Sequence, residues 1–135
     1  MEDKGAEQRE CKRFVIPGAT VSYEYKGRTE EFSQIVDMSR AGIKYQSDKS
    51  LDLNTELTLI ISIPGEKIPL TLIGHVRWIA FDEKKKKHLI GFQFNPYGEK
   101  SGQNYPGNLV KIIALEQKFS TLQESKSDKY EIDIE

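Results

Sequence analysis

The chain has 135 residues, the length of one domain and enough to bury a core without disulfides or metal. Its 37% hydrophobic and 30% charged residues are typical of a globular protein in water, and the net charge of −1 excludes the basic excess expected of a double-helix binder. A single cysteine excludes an internal disulfide, and neither a signal-peptide core nor a membrane-spanning run is present, so we expect a cytoplasmic protein without membrane insertion or nucleic acid partner.

The sequence pattern of the first half of the chain predicts a polar arm followed by three strands. Residues 1–8 are charged and are interpreted as a flexible N-terminal arm. Residues 20–25 form a strand, because Val21, Tyr23 and Tyr25 alternate with polar residues. A hairpin turn at 26–28 leads to a second strand at 32–36, and a third strand covers 43–46. This pattern predicts strands with one face in a core.

The second half continues the alternation through three more strands and then changes period. One apolar face is predicted from Leu57, Leu59, Ile61 and Ile63, a second from Ile68, Leu70, Leu72, Gly74, Val76 and Trp78, and a third from Ile90, Phe92 and Phe94. Turns are expected at 64–67 and at the lysine run 84–87, which we interpret as a solvated loop. Six strands with short turns predict a mainly β fold, a small six-stranded antiparallel barrel.

A C-terminal helix follows a loop at residues 95–107. Five apolar residues recur there at helical spacing: Leu109, Ile112, Leu115, Phe119 and Leu122. Either Asn108 caps this helix or Pro106 lies in its first turn. About four turns packed on the barrel would account for the stripe. We therefore expect one domain over residues 9–122 and a charged C-terminal tail over 123–135.

Two short motifs carry the functional signal. Arg9 and Arg13 form an R-x-x-x-R pair, and Asp37, Ser39 and Gly42 form a D-x-S-x-x-G turn. Arginine forks can grip phosphate oxygens or the O6/N7 edge of guanine, and a carboxylate with a hydroxyl can accept the guanine N–H donors. Glycine permits a positive φ or a close backbone approach. Taken alone, the first motif is better interpreted as a solvated basic arm and the second as an ordinary Asx turn, and only the two together favour a ligand site.

In this order and at this separation, the pair resembles the signature of the PilZ domain, the bacterial receptor module for cyclic di-GMP. The resemblance extends over residues 9–122, through the stretches at 13–17, 74–78 and 89–94. It implies a PilZ-type barrel whose nucleotide lies against the outer surface, with the arm folded over it. Arg9 and Arg13 would contact phosphates and guanine, and Asp37, Ser39 and the Gly42 backbone would complete the pocket.

The resemblance also implies how the protein would act. Cyclic di-GMP would be a ligand rather than a cofactor, and the altered arm would signal to a protein partner. Relatives often carry a further arginine just before R-x-x-x-R, where this chain has Gln8. In the family that position bears on whether one nucleotide or a stacked pair is bound, so Gln8 favours one.

Other functions have less support in the residues. Two separated histidines and one cysteine give no metal-ligand spacing, and there is no P-loop, no G-x-S-x-G elbow and no other catalytic constellation, so neither an enzyme nor a metal protein is expected. Two alternatives remain. One is a PilZ-like protein-interaction module that binds no nucleotide, and the other is a single-stranded nucleic acid binder, which needs exposed aromatics interleaved with cations.

Overall fold

Alternating apolar side chains form the strands expected from the sequence. The computed structural model describes residues 12–25, 28–29 and 33–134 of the chain. The described elements are β1 (Thr20–Tyr25), β2 (Arg28–Thr29), β3 (Ser33–Met38), β4 (Gly42–Ser47), β5 (Glu56–Ser62), β6 (Leu70–Asp82), β7 (Lys87–Phe94) and α1 (Pro106–Ile134).

The strands close on themselves. Among the described residues, six strands are hydrogen-bonded in the order β1-β3-β4-β7-β6-β5, and β1 pairs with β5 to complete the ring. Each pairing is antiparallel, and the two-residue β2 adds to the end of β1. Closure leaves this ring without a free edge. The predicted six-stranded antiparallel barrel with a C-terminal helix is therefore confirmed.

The core lies inside the barrel and is built from every second strand residue. Val21, Leu59 and Leu72 come from three different strands and are 0% exposed. Along β5 and β6, the neighbours of the buried residues point outward, as the two-residue period requires. The outward side chains of β4, β6 and β7 are therefore available to form a site on the barrel surface.

Two residues predicted on the inward face of β6 lie outside the core. Ile68 precedes the strand and is 73% exposed. At the other end, the pairing of β6 with β7 shifts register between Val76 and Trp78. An irregularity of this kind changes which way the following side chains point, and Trp78 is 44% exposed on the outer surface. The inward placement of these two residues was wrong, and the register shift explains the second case.

Helix α1 begins at Pro106, the second of the two predicted starts, and contains 29 residues. It is longer than the four turns predicted, because the backbone stays helical through the segment assigned to a tail. Ile112 is 0% exposed, and Leu115 and Phe119 pack against the core at its edge. The Asn108 side chain donates to the carbonyl oxygen of Thr71 at 3.0 Å instead of capping the helix. Among the described residues, no helix combines the length and apolar character that a bilayer span requires.

Candidate functional site

The D-x-S-x-x-G motif forms the tight connection between β3 and β4. Asp37 is still part of β3, and Gly42 is the first residue of β4. The Ser39 amide donates to the carbonyl oxygen of Gly42 at 2.8 Å. The Ser39 hydroxyl oxygen accepts hydrogen bonds from the amides of Ala41 (3.1 Å) and Gly42 (3.3 Å). Ser39 is 1% exposed, so in this arrangement its hydroxyl holds the loop together.

Gly42 is required by close packing and not by an unusual φ. It pairs with Gln93 of β7, and a Cβ at this position would overlap the carbonyl oxygen of Phe92. The amide of Phe94 donates to the carbonyl oxygen of Ala41 at 2.8 Å, which extends the same contact. The sequence suggested either a positive φ or a close backbone approach at this glycine, and the structure shows the close approach.

A short backbone bridge brings the two motifs together. The amide of Phe14 donates to the Met38 carbonyl at 2.9 Å, and the amide of Met38 donates to the Phe14 carbonyl at 3.0 Å. This bridge places Arg13 beside Asp37, and the Arg13 Nε atom donates to Asp37 Oδ1 at 2.5 Å. Lys44 Nζ lies 3.4 Å from Asp37 Oδ2. Asp37 is therefore held between two cations at the surface of the barrel.

A cleft of about 460 Å³ opens next to this ion pair. The cleft is lined by three cationic residues, Arg13, Lys44 and Arg77, and also by Gln93 and Gly42. Among the described residues that line the cleft, three side chains are cationic and none is anionic. The volume falls within the range of roughly 300–1,000 Å³ typical of small-molecule sites. The cleft is thus suited in size and charge to an anionic ligand.

Trp78 forms one wall of the cleft. It pairs with Gly91 of β7, and a Cβ on that glycine would overlap the indole ring, so the ring lies directly against the glycine backbone. Part of the residue is open to solvent, since Trp78 is 44% exposed. An exposed aromatic face beside cations is what a nucleotide base uses for stacking.

The structure assembles most, but not all, of the predicted site. Arg13, Asp37, Ser39 and Gly42 meet at one place on the barrel, whereas Arg9 and the arm lie outside the described residues.

Sequence reasoning missed four further residues at the cleft: Lys44, Arg77, Trp78 and Gln93. One signal could have pointed to Trp78. Gly91 interrupts a strand, and a glycine there often marks a bulge or a close approach by another group.

Comparisons with known proteins identify the family and the fold of the chain. The family model described as PilZ domain matches residues 7–106 of the chain. A Bacillus subtilis inhibitor of motility, MotI/DgrA, is similar in structure, with a TM-score of 0.62 and 19% identity over 79% of this chain and 48% of that one. The PilZ domain of Escherichia coli YcgR, solved with c-di-GMP, gives a TM-score of 0.63 and 14% identity over 90% of this chain and 98% of that one. No curated protein matches the chain significantly.

These comparisons differ in what they establish. The chain spans about half the length of the MotI/DgrA chain, and at these identities the structural similarities establish a shared fold. The family model covers well over half of this chain and includes both motifs. The chain therefore belongs to the PilZ domain family.

Proposed function

We propose that this protein is a receptor for cyclic di-GMP, bound in the cleft beside Arg13 and Asp37. The observation that carries the proposal is the meeting of the two motifs, 24 positions apart in sequence, at a cleft lined by three cationic side chains. The structure of the YcgR PilZ domain was determined with c-di-GMP, which supports the choice of this nucleotide as the ligand.

The cations match the phosphates of the ligand. Cyclic di-GMP carries two phosphodiester groups, each with one negative charge. The Arg13 guanidinium has five N–H donors, of which Nε donates to Asp37, so other donors can reach a phosphate. Lys44 of β4 and Arg77 of β6, the two strands that flank β7, add two further cations. Hydrogen bonds to charged groups contribute roughly 1.5–3 kcal/mol each, so several of them are needed for tight binding.

The remaining groups match the base. The Asp37 carboxylate has about four acceptor sites, so it can accept the N1–H and N2–H donors of guanine while staying paired with Arg13. Ser39 and Gly42 hold the loop that presents this carboxylate. Trp78 offers its open face to the base, and such stacking contributes about 1–3 kcal/mol per base.

The signal would come from a change of surface and not from chemistry. In this proposal the protein is a cytoplasmic receptor and not an enzyme, and binding brings Arg9 and the N-terminal arm onto the barrel. Ordering about ten residues costs on the order of 1 kcal/mol or more each, which the charged contacts must offset. The rearranged surface is then presented to a protein partner.

Isothermal titration calorimetry with cyclic di-GMP tests the proposal, with GMP and cyclic AMP as ligand controls. We expect selective binding at micromolar affinity or tighter. Gln8 favours a stoichiometry of one nucleotide per chain. Arg13→Ala and Arg9→Ala should each weaken binding at least about tenfold, the loss of one charge-assisted hydrogen bond.

Lys85→Ala is the matched control, because it also removes one positive charge but from the β6–β7 turn. It should bind as the wild type does. Absence of heat at a large ligand excess, or wild-type binding by Arg13→Ala, would contradict the proposal. A partner captured equally well with and without nucleotide would then favour the protein-interaction module.

A further inference from the structure

Arg40 belongs to the loop between β3 and β4 (residues 39–41), here called the binding loop, and it contacts helix α1. Arg40 lies between Ser39 and Ala41, and its guanidinium forms two parallel hydrogen bonds with Glu116. Arg40 Nε to Glu116 Oε1 and Arg40 Nη2 to Glu116 Oε2 both measure 3.1 Å. These residues are 76 positions apart in the sequence, so the pair joins the loop to the third turn of the helix.

The Arg40–Glu116 pair is partly buried and fixed in orientation. The Glu116 side chain is 9% exposed, and a buried carboxylate without a partner is strongly destabilising. The two-pronged geometry fixes orientation as well as distance, which a lysine in place of Arg40 could not do. Loop and helix therefore cannot move independently without exposing or unpairing this carboxylate.

The backbone of Arg40 is fixed from a second side. The Tyr97 hydroxyl donates to the Arg40 carbonyl oxygen at 2.8 Å. Burial raises the pKa of Tyr97 to about 12, so the hydroxyl keeps its proton at neutral pH. Ser39 and Gly42, which belong to the predicted site, and Arg40, which contacts the helix, thus lie in one short, internally bonded turn.

We propose that Arg40 is the positioning residue of the binding loop and that, through Glu116, it couples nucleotide occupancy to the docking of α1. A ligand that favours this loop geometry also favours the docked helix, and by reciprocity the docked helix favours the ligand. Among the described residues, the helix is also attached by buried Ile112, by Leu115 and Phe119 at the edge of the core and by the hydrogen bond from Asn108, and the Arg40–Glu116 pair is the contact that reaches the loop. The part of this inference that concerns the ligand rests on the proposed function.

Hydrogen exchange of the full chain tests the coupling first without ligand. Glu116→Gln keeps the shape of the side chain but removes its charge. We expect amide exchange at Ala41 and Gly42 to accelerate several-fold, although both lie far from the substitution in sequence. Arg40→Gln should accelerate exchange at residues 112–120 by a similar factor. Lys87→Gln, which breaks the exposed ion pair with Asp48, should leave both segments unchanged.

The same measurement with saturating cyclic di-GMP tests the regulation. In the wild type, ligand should slow exchange at residues 112–120. This protection should disappear in Arg40→Gln and Glu116→Gln, and the reversed pair Arg40→Glu with Glu116→Arg should restore part of it. If Arg40→Gln does not fold, Tyr97→Phe tests the same loop attachment and should accelerate exchange at Ala41.

Two results would overturn the inference. One is loop exchange in Glu116→Gln equal to that of Lys87→Gln. The other is equal ligand protection of residues 112–120 in the wild type and Arg40→Gln. If the wild type binds no cyclic di-GMP, the proposed function fails by itself, and the ligand-free comparison still decides whether loop and helix are coupled.

Discussion

At the scale of single residues, the binding loop depends on the small polar side chain of Ser39 and on the lack of a side chain at Gly42. Ser39 ties the loop with its hydroxyl and its amide. Gly42 lets β4 approach β7 so closely that a methyl group would meet a carbonyl oxygen. Because a backbone atom cannot swing aside as a side chain can, this position tolerates no Cβ without movement of a strand.

Gly42→Ala should therefore lower the free energy of unfolding by about 1–3 kcal/mol, the usual cost of overpacking. Gly107→Ala is a matched control, since its Cβ would meet only the ring of Tyr105, which is 70% exposed and can rotate. Gly107 also lies in α1, where alanine is favoured over glycine. Urea denaturation measures both variants, and equal losses of stability would contradict the packing argument.

The raised pKa of Tyr97 predicts how the free energy of unfolding depends on pH. Burial raises its pKa from 10.0 to about 12, so the folded protein holds the phenolic proton more tightly than the unfolded chain does. The stability linked to this proton is complete below pH 10 and is lost as the pH rises towards 12. Tyr97→Phe has no proton to lose, so its unfolding free energy should fall less steeply over this window. Equal slopes for the two proteins, measured by urea denaturation at several pH values, would show that Tyr97 does not contribute.

At the scale of elements, β6 adds side chains to the site that the motifs do not contain, and α1 supports the loop beside it. The register shift in β6 brings Trp78 onto the outer surface, beside Arg77 in the cleft. Helix α1 packs one face on the barrel, and Glu116 of that helix reaches the binding loop. The site is therefore assembled from strands and a helix that are distant in sequence.

The docking of α1 should depend on Ile112, the one fully buried apolar residue among the helix residues whose burial is described. Ile112→Ala should lower the free energy of unfolding by about 2–5 kcal/mol, because it leaves a cavity in the core. Val110→Ala changes a residue of similar shape on the same helix that is 68% exposed, and its effect should stay within about 0.5 kcal/mol. Chemical denaturation measures both, and a small effect of Ile112→Ala would mean that the helix is not anchored in this way.

Local patterns made the fold predictable from the sequence. A period of two fixed the strands, as at Leu57–Ile63, and a helical period fixed the face of α1 that contains Ile112. The predictions failed where a local pattern does not specify the register. The pattern of β6 continues unbroken through Trp78, and only its pairing with β7 reveals the shift.

The site was predictable only as far as its motifs extend. Arg13 and Asp37 could be expected to meet because the two motifs resemble one family signature, and they do meet. Lys44 and Arg77 lie on outward strand positions where a cation is ordinary, so their sequence context gave no sign of a shared cleft. The pairing of Arg40 with Glu116 was equally hidden, since it depends on how the helix packs on the barrel.

At the scale of the whole molecule, charge is organised locally and not globally. The net charge of −1 gives no general attraction for anions, yet the described lining of the cleft carries only positive charge. Such an arrangement favours a small anionic ligand over a long polyanion, which needs an extended basic surface. The proposed receptor function thus depends on whether cyclic di-GMP binds at this one place.

A fluorescence titration of Trp78 with cyclic di-GMP tests that claim most directly, because the chain contains one tryptophan and this residue lines the cleft. We expect a saturable change in emission with cyclic di-GMP but not with GMP, and a shift of the curve to at least about tenfold higher ligand in Arg13→Ala. Calorimetric binding without any change in Trp78 emission would place the ligand elsewhere on the protein. Absence of both signals would contradict the receptor itself.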